Sequence, residues 1–234
     1  MADYLNTLLF GYYPYICLAV FFLGSLVRFD REQFTWRSGS SQLLRRKQLR
    51  LGSNLFHIGV LVIFFGHLVG LLTPIAVFDA LGIGHGFKQL MAIVIGGLAA
   101  VSALIGATLL LHRRLSDPRI RRNSSFSDNA ILILLYVQLL LGIATIPISA
   151  GHLDGHMMVN FMTWAQSIWT FQPAATYVAE APWIFKLHLF LGLTIFLVFP
   201  FTRLVHVWSV PVWYLGRRGY QIVRTRNGNG RKAV

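Results

Sequence analysis

Four histidines fall within two hydrophobic segments that are each long enough to cross a bilayer. They are His57 and His67 in NLFHIGVLVIFFGHLVGLLTP, and His188 and His206 in FKLHLFLGLTIFLVFPFTRLVHVWS. An imidazole in hydrocarbon is costly unless it makes a hydrogen bond or binds a metal, so such residues mark candidate functional sites. Two on each of two helices is the set needed to ligate two haem irons from both faces. That chemistry is electron transfer, and the chain reads as an electron-carrying membrane subunit. Two other roles compete: hydrogen bonding across helices, and zinc, which prefers four ligands gathered at one point.

The elements that must hold these rings follow from composition. Of 234 residues, 55% are hydrophobic and only 12% charged, which is the make-up of a membrane protein. A bilayer core about 30 Å thick needs ~20 apolar helical residues. Five stretches qualify: Leu5–Val27, Leu51–Thr73, Gln89–Leu111, Asp128–Ser149 and Trp183–Trp208. The first is too long and too aromatic for a signal peptide and is expected to be a retained helix, kinked at Pro14. The expected fold is therefore all-α, a bundle of five transmembrane helices in a single membrane domain over residues 1–234, with a basic tail at 209–234. Small residues in IGGLAAVSALIGA permit close helix contact. Cys17 is the sole cysteine, too few for an iron–sulfur cluster or a CxxCH haem attachment, so a redox group held by this chain alone must use histidine.

The net charge of +13 would suit nucleic-acid binding were it not for its placement. Seven of 21 Lys and Arg residues lie at Arg28–Arg50, five at Arg113–Arg122 and seven from Arg203 onward; only Lys88 and Lys186 fall on the other side. That bias puts the N-terminus outside and the C-terminus in the cytoplasm, and makes membrane lipid rather than nucleic acid the partner. In the long outward loop, HMMVNFMTWAQSIWTF is expected to form an interfacial helix with Trp164 and Trp169 at headgroup level, or a lid. The third loop ends in a Ser127–Asp128 start signal for the fourth helix.

Antiparallel helices pair the histidines by depth: His67 with His188 toward the outside, His57 with His206 toward the inside. The outer two each lie six residues, ~9 Å, within their helix ends. The inner two match less well, because ten residues separate the histidines of one helix and eighteen those of the other, ~15 Å against ~27 Å. A break at Pro200 is expected to absorb part of the difference. Gly59, Gly66 and Gly192 adjoin the ligands and offer bare surface for a flat macrocycle. Arg203, one turn before His206, and Arg50, two turns before His57, are candidate partners for haem propionates. The remaining histidines, His85, His112, His152 and His156, are expected to be solvated. A proton-relaying transporter is the rival from another class, and the lack of Asp and Glu in the helix interiors weighs against it.

Longer runs then come into view: YPYI, RFDREQFTWRSGSSQ, SNLFHIG with GHLVGLLTP, LLLHRRLSDPR, TIPISAGHLDG, WAQSIWTF and FKLHLFLGLTIFLVFPFTRLVHVWSVPVWYL. In order and spacing they resemble the gamma subunit of respiratory nitrate reductase over most of the chain. The resemblance implies a dihaem cytochrome b of the cell inner membrane, with two haem b groups. The distal haem would be held by His67 and His188, and the proximal haem by His57 and His206. It implies that quinol is the substrate, oxidised beside the distal haem at a site including Lys88 and Gly66. Electrons would go to an iron–sulfur beta subunit and a molybdenum-containing alpha subunit, where nitrate is reduced; neither centre can be built from this chain. The alternative within the class is a cytochrome b of another membrane oxidoreductase, of sulfur-compound or heterodisulfide type. The chain departs from the family pattern in its basic end, RTRNGNGRKAV, and in the glycine-rich LGIGHGF loop.

Overall fold

The computed structural model describes residues 2–37, 41 and 43–210, and among these there is no strand. Among the described residues, five helices are long and apolar enough to cross a membrane: α1 (Asp3–Arg31), α2 (Arg46–Leu72), α4 (His85–Ser116), α6 (Phe126–Ala150), and a fifth span, Trp183–Phe201, whose regular helix α8 is Trp183–Val198. Between them lie the short helices α3 (Ile75–Ala80), α5 (Pro118–Arg122) and α7 (His156–Trp169). The greater part of the expected tail, 211–234, lies outside the described residues. Helices α2 and α4 run further at their basic ends than hydropathy suggested, because arginine and lysine side chains sustain helix well beyond the apolar core.

Packing follows chain order. Helix α2 lies along α4, α4 against α6, α6 against α8, and α8 against α1. The α2–α4 seam is the closest. A Cβ on Gly59 would stand 2.6 Å from the Ala103 amide nitrogen, and one on Gly106 would meet the backbone of Phe56 and Gly52. Small residues at a crossing let backbones approach, and dispersion contacts replace the hydrophobic drive that lipid removes. Gly59 therefore serves helix packing and does not clear space for a macrocycle, contrary to expectation.

Prolines shape the two helices that flank the core. Pro14 has no amide hydrogen for the Phe10 carbonyl, and a π-helical stretch at Leu8–Tyr12 accommodates it. The freed carbonyl accepts a hydrogen bond from the Trp164 indole, 3.0 Å away on α7. Trp164 is thus buried in the core with Phe10, Cys17, Ile168 and Leu193 and is not an interfacial anchor; Trp169 is exposed. Helix α7 ties the amino end of the bundle together. Its Gln166 amide donates to the carbonyls of Leu71 and Thr73, which have no acceptor role left within α2.

At the basic end, helix α8 stops at Val198 and a 3₁₀ turn, Phe199–Phe201, carries the buried Pro200. Thr202 is extended, and a second 3₁₀ segment, Arg203–Ser209, follows. The fifth helix therefore does not continue to Trp208. Arg28 of α1 clamps the break by donating to the carbonyls of Pro200 and Thr202. The start of α6 is capped by Ser125, whose hydroxyl accepts from the Asp128 amide while the Asp128 carboxylate accepts from the Ser125 amide. The cap lies two residues before the expected Ser127, since the reciprocal pair needs the acid three positions on.

Candidate metal-ligating histidine pairs

The break after Pro200 decides where His206 goes. Eighteen residues of continuous helix would carry it ~27 Å from His188. The turn and the 3₁₀ segment redirect the chain, and His206 comes to face His57 of α2 with ring centroids 6.3 Å apart. At the amino end, His67 of α2 faces His188 of α8, also at 6.3 Å. One pair bridges α2 and α8, which are not neighbours in the sequence of helix packings, and the other bridges α2 and the 3₁₀ segment Arg203–Ser209.

The hydrogen bonds of each ring set which nitrogen is left to act as a ligand. His57 Nδ1 donates to the Ser53 carbonyl at 2.7 Å, His67 Nδ1 to the Ile63 carbonyl at 2.8 Å, and His206 Nδ1 to the Arg203 carbonyl at 2.6 Å. A carbonyl only accepts, so these three rings carry their proton on Nδ1 and present a lone pair on Nε2. A metal-bound imidazole gives its other ring N–H to an acceptor in the same way. His188 departs from it: its Nδ1 is buried without a hydrogen-bond partner among the described residues.

The spacing fits as well. Two imidazole nitrogens bonded to one metal from opposite sides at about 2 Å each leave their ring centres roughly 6–6.5 Å apart. Either pair meets this, and His57 and His67 are exposed toward the space a planar group would need. Gly66, beside His67, is open, with nothing within 4 Å of an added Cβ. Gly192 instead accommodates Gln138, and Gly142, not singled out in the sequence, lies against the His188 ring. Zinc fits poorly: among the described residues no three of His, Cys, Asp and Glu gather as a metal site. Two opposed imidazoles per site suit haem iron.

Near the basic-end pair, Asp128 draws two guanidiniums together. Its carboxylate lies 3.9 Å from Arg114 and 3.7 Å from Arg203. Arg203 precedes His206 by three residues, so this cluster of two guanidiniums and a carboxylate adjoins the basic-end pair. Arg50 is exposed on α2, two turns before His57. Arg203 and Arg114 are brought together on Asp128.

Lys88 sits in the first turn of α4 and is buried, although hydropathy placed it just outside the third apolar run, Gln89–Leu111. Its ammonium contacts Met162 Sδ of α7 and lies 3.9 Å over the Phe78 ring. Thioether and aromatic face are weak partners for a cation, so its donors remain available to a stronger acceptor. Gln89, next in sequence, ends α6 by donating to the carbonyls of Ser149 and His152. One residue expected to be solvated is instead structured: His85 opens α4 with its Nε2 3.5 Å from Asp79. Its position three residues before Lys88 was a signal available in the sequence.

Comparison with known proteins bears on this geometry. Residues 6–226 match the family described as nitrate reductase gamma subunit. The chain belongs to that family. It is 52% identical to the respiratory nitrate reductase 2 gamma chain of Escherichia coli, over 97% of this chain and 100% of that one. To the nitrate reductase gamma chain of Bacillus subtilis it is 39% identical, over 94% of this chain and 98% of that one. As a nitrate reductase gamma subunit with five spans, it is a multi-pass membrane component of a multi-subunit nitrate reductase.

Proposed function

We propose that this gamma subunit is a dihaem b-type cytochrome of the cell inner membrane, oxidising quinol near the outer face and delivering electrons to cytoplasmic subunits that reduce nitrate. His67 and His188 hold the outer haem, and His57 and His206 the inner one. The observation that carries the reading is the pair of opposed imidazoles at each end of the bundle, each with centroids 6.3 Å apart. Bound haem supplies one-electron transfer between the two levels.

The protein's own residues do the rest. Carbonyls of Ser53, Ile63 and Arg203 fix three imidazoles in the tautomer that presents Nε2. Lys88, with Gly66 leaving open space beside His67, forms the quinol site, where the ammonium donates to a quinone oxygen. Arg203, with Arg114 beside it, neutralises propionates at the inner level, and Arg50 is available on α2. With the N-terminus outside, quinol protons leave outward while electrons go inward. The acceptors are an iron–sulfur beta subunit and a molybdenum-containing alpha subunit, a reading supported by family membership.

The test is spectroscopic. The purified complex is expected to contain two haem b per gamma chain, His67→Ala or His188→Ala to lose one of them, and His57→Ala or His206→Ala to lose the other. A colourless membrane subunit would overturn the proposal.

A further inference from the structure

Gln138 lies on α6 and faces α8. Its amide nitrogen donates to the backbone carbonyl of His188 at 3.1 Å and lies 3.4 Å from Nε2 of that ring. Two glycines make room for the contact. One turn along α6, a Cβ on Gly142 would stand 3.1 Å from His188 Cε1, and on α8 a Cβ on Gly192 would stand 3.2 Å from the Gln138 amide nitrogen. A side-chain amide and an imidazole are thus seated against each other by one bare position on each helix.

His57, His67 and His206 each give Nδ1–H to a main-chain carbonyl of their own segment. His188 does not. Its Nδ1 is buried and without a hydrogen-bond partner among the described residues, and so is the Oε1 of Gln138. A buried donor and a buried acceptor left open are both costly, and here they belong to two side chains already in contact. Backbone carbonyls serve three of the rings; for the fourth, the polar side chain that reaches it comes from the neighbouring helix.

We propose that Gln138 is the positioning residue of His188. Its amide nitrogen holds the His188 carbonyl and lies against the ring, and so sets the orientation of the imidazole in place of the carbonyl that orients the other three ligands. A neighbour that sets the ring's orientation acts on the haem that the ring holds, since groups around a ligand orient it and tune the metal. The inference rests on the dihaem reading above. It deepens that reading by making one of the two potentials depend on a single side chain outside the ligand set.

The experiment uses the assembled complex, with redox titration of both haems and EPR of their ferric forms. Gln138→Met keeps length and flexibility but removes the amide; Gln138→Glu keeps shape but puts an acceptor where the amide donates. Both variants are expected to retain two haems. The potential of the haem lost in His188→Ala is expected to shift in both variants, with a changed EPR g-max, while the other haem is unmoved. Unchanged potential and g-max in both variants would overturn the assignment, and so would loss of that haem from both, which packing alone would produce. Absence of haem from the wild-type complex would instead sink the dihaem reading, so the two failures are told apart.

Discussion

An imidazole between membrane helices has two nitrogens to satisfy, and the three carbonyl-bound rings show what one of them is for. Once Nδ1–H is given to the backbone, Nε2 is left as a lone pair on a ring whose centre stands 6.3 Å from that of its opposite number. Lys88 poses the same question with a charge. A buried ammonium whose near neighbours are Met162 and Phe78 keeps its donors for something else. Lys88→Ala is expected to keep both haem spectra and to slow quinol-driven haem reduction by roughly 10- to 100-fold, the loss of one charge-assisted hydrogen bond of about 1.5–3 kcal/mol. Stopped-flow reduction with a quinol analogue reads this directly, and an unimpaired rate would remove Lys88 from the site. The sequence singled out Lys88 by its isolation on the outward side, whereas its aromatic and thioether neighbours come from α3 and α7 and were invisible there.

At the scale of elements, the end of the fifth span carries the most consequence. Gly24 on α1 faces Pro200, and a Cβ there would stand 2.9 Å from the proline Cγ. Arg28, one turn further along α1, holds the carbonyls on either side of the turn. Gly24→Leu is expected to displace the break and with it His206, at a cost of about 1–3 kcal/mol from overpacking. Difference spectra should then show the haem that depends on His57 diminished and the haem that depends on His67 retained. Equal loss of both would mean that α1 supports the whole bundle rather than this turn. The α2–α4 seam makes a contrasting prediction. Gly106→Val pushes against the backbone of Phe56, one residue before His57, and is expected to lower membrane accumulation of the folded subunit, read by immunoblot, whichever haem is followed. The sequence pointed to Pro200 as a breaker, but the direction taken after it depends on Arg28 and Gly24, more than 170 positions away along the chain.

For the molecule as a whole, the helices pack in an open order with the histidines spanning its gap, so stability depends on ties between distant segments. Asp128 is one: it caps α6 and draws Arg114 of α4 and Arg203 of the last segment toward each other. Asp128→Asn is expected to lower the free energy of unfolding by about 1–3 kcal/mol, combining a weakened cap with two guanidiniums that have lost their anion. Thermal melting of the detergent-solubilised complex measures it. Orientation is testable because the single native thiol, Cys17, is fully buried. Cysteine placed at Asp154 should label with an impermeant maleimide in intact cells, and cysteine placed at Asn123 only after permeabilisation. The reverse pattern would invert the topology and the direction of charge movement.

Five spans, the pairing of His67 with His188 and of His57 with His206, and the family were all legible in the chain by itself. Hydropathy, charge bias and the antiparallel sense of two helices are local or one-dimensional properties, and they suffice to say which rings share a depth. Only the tertiary structure decided how ring meets ring. The 6.3 Å approach of His206 to His57, the burial of Trp164 on the Phe10 carbonyl and the seat of Gln138 against His188 all join residues remote in sequence. The first two depend on a helix ending or bending where a backbone hydrogen bond is missing, and the third on bare positions at Gly142 and Gly192; which groups then meet is set by what the rest of the fold brings near.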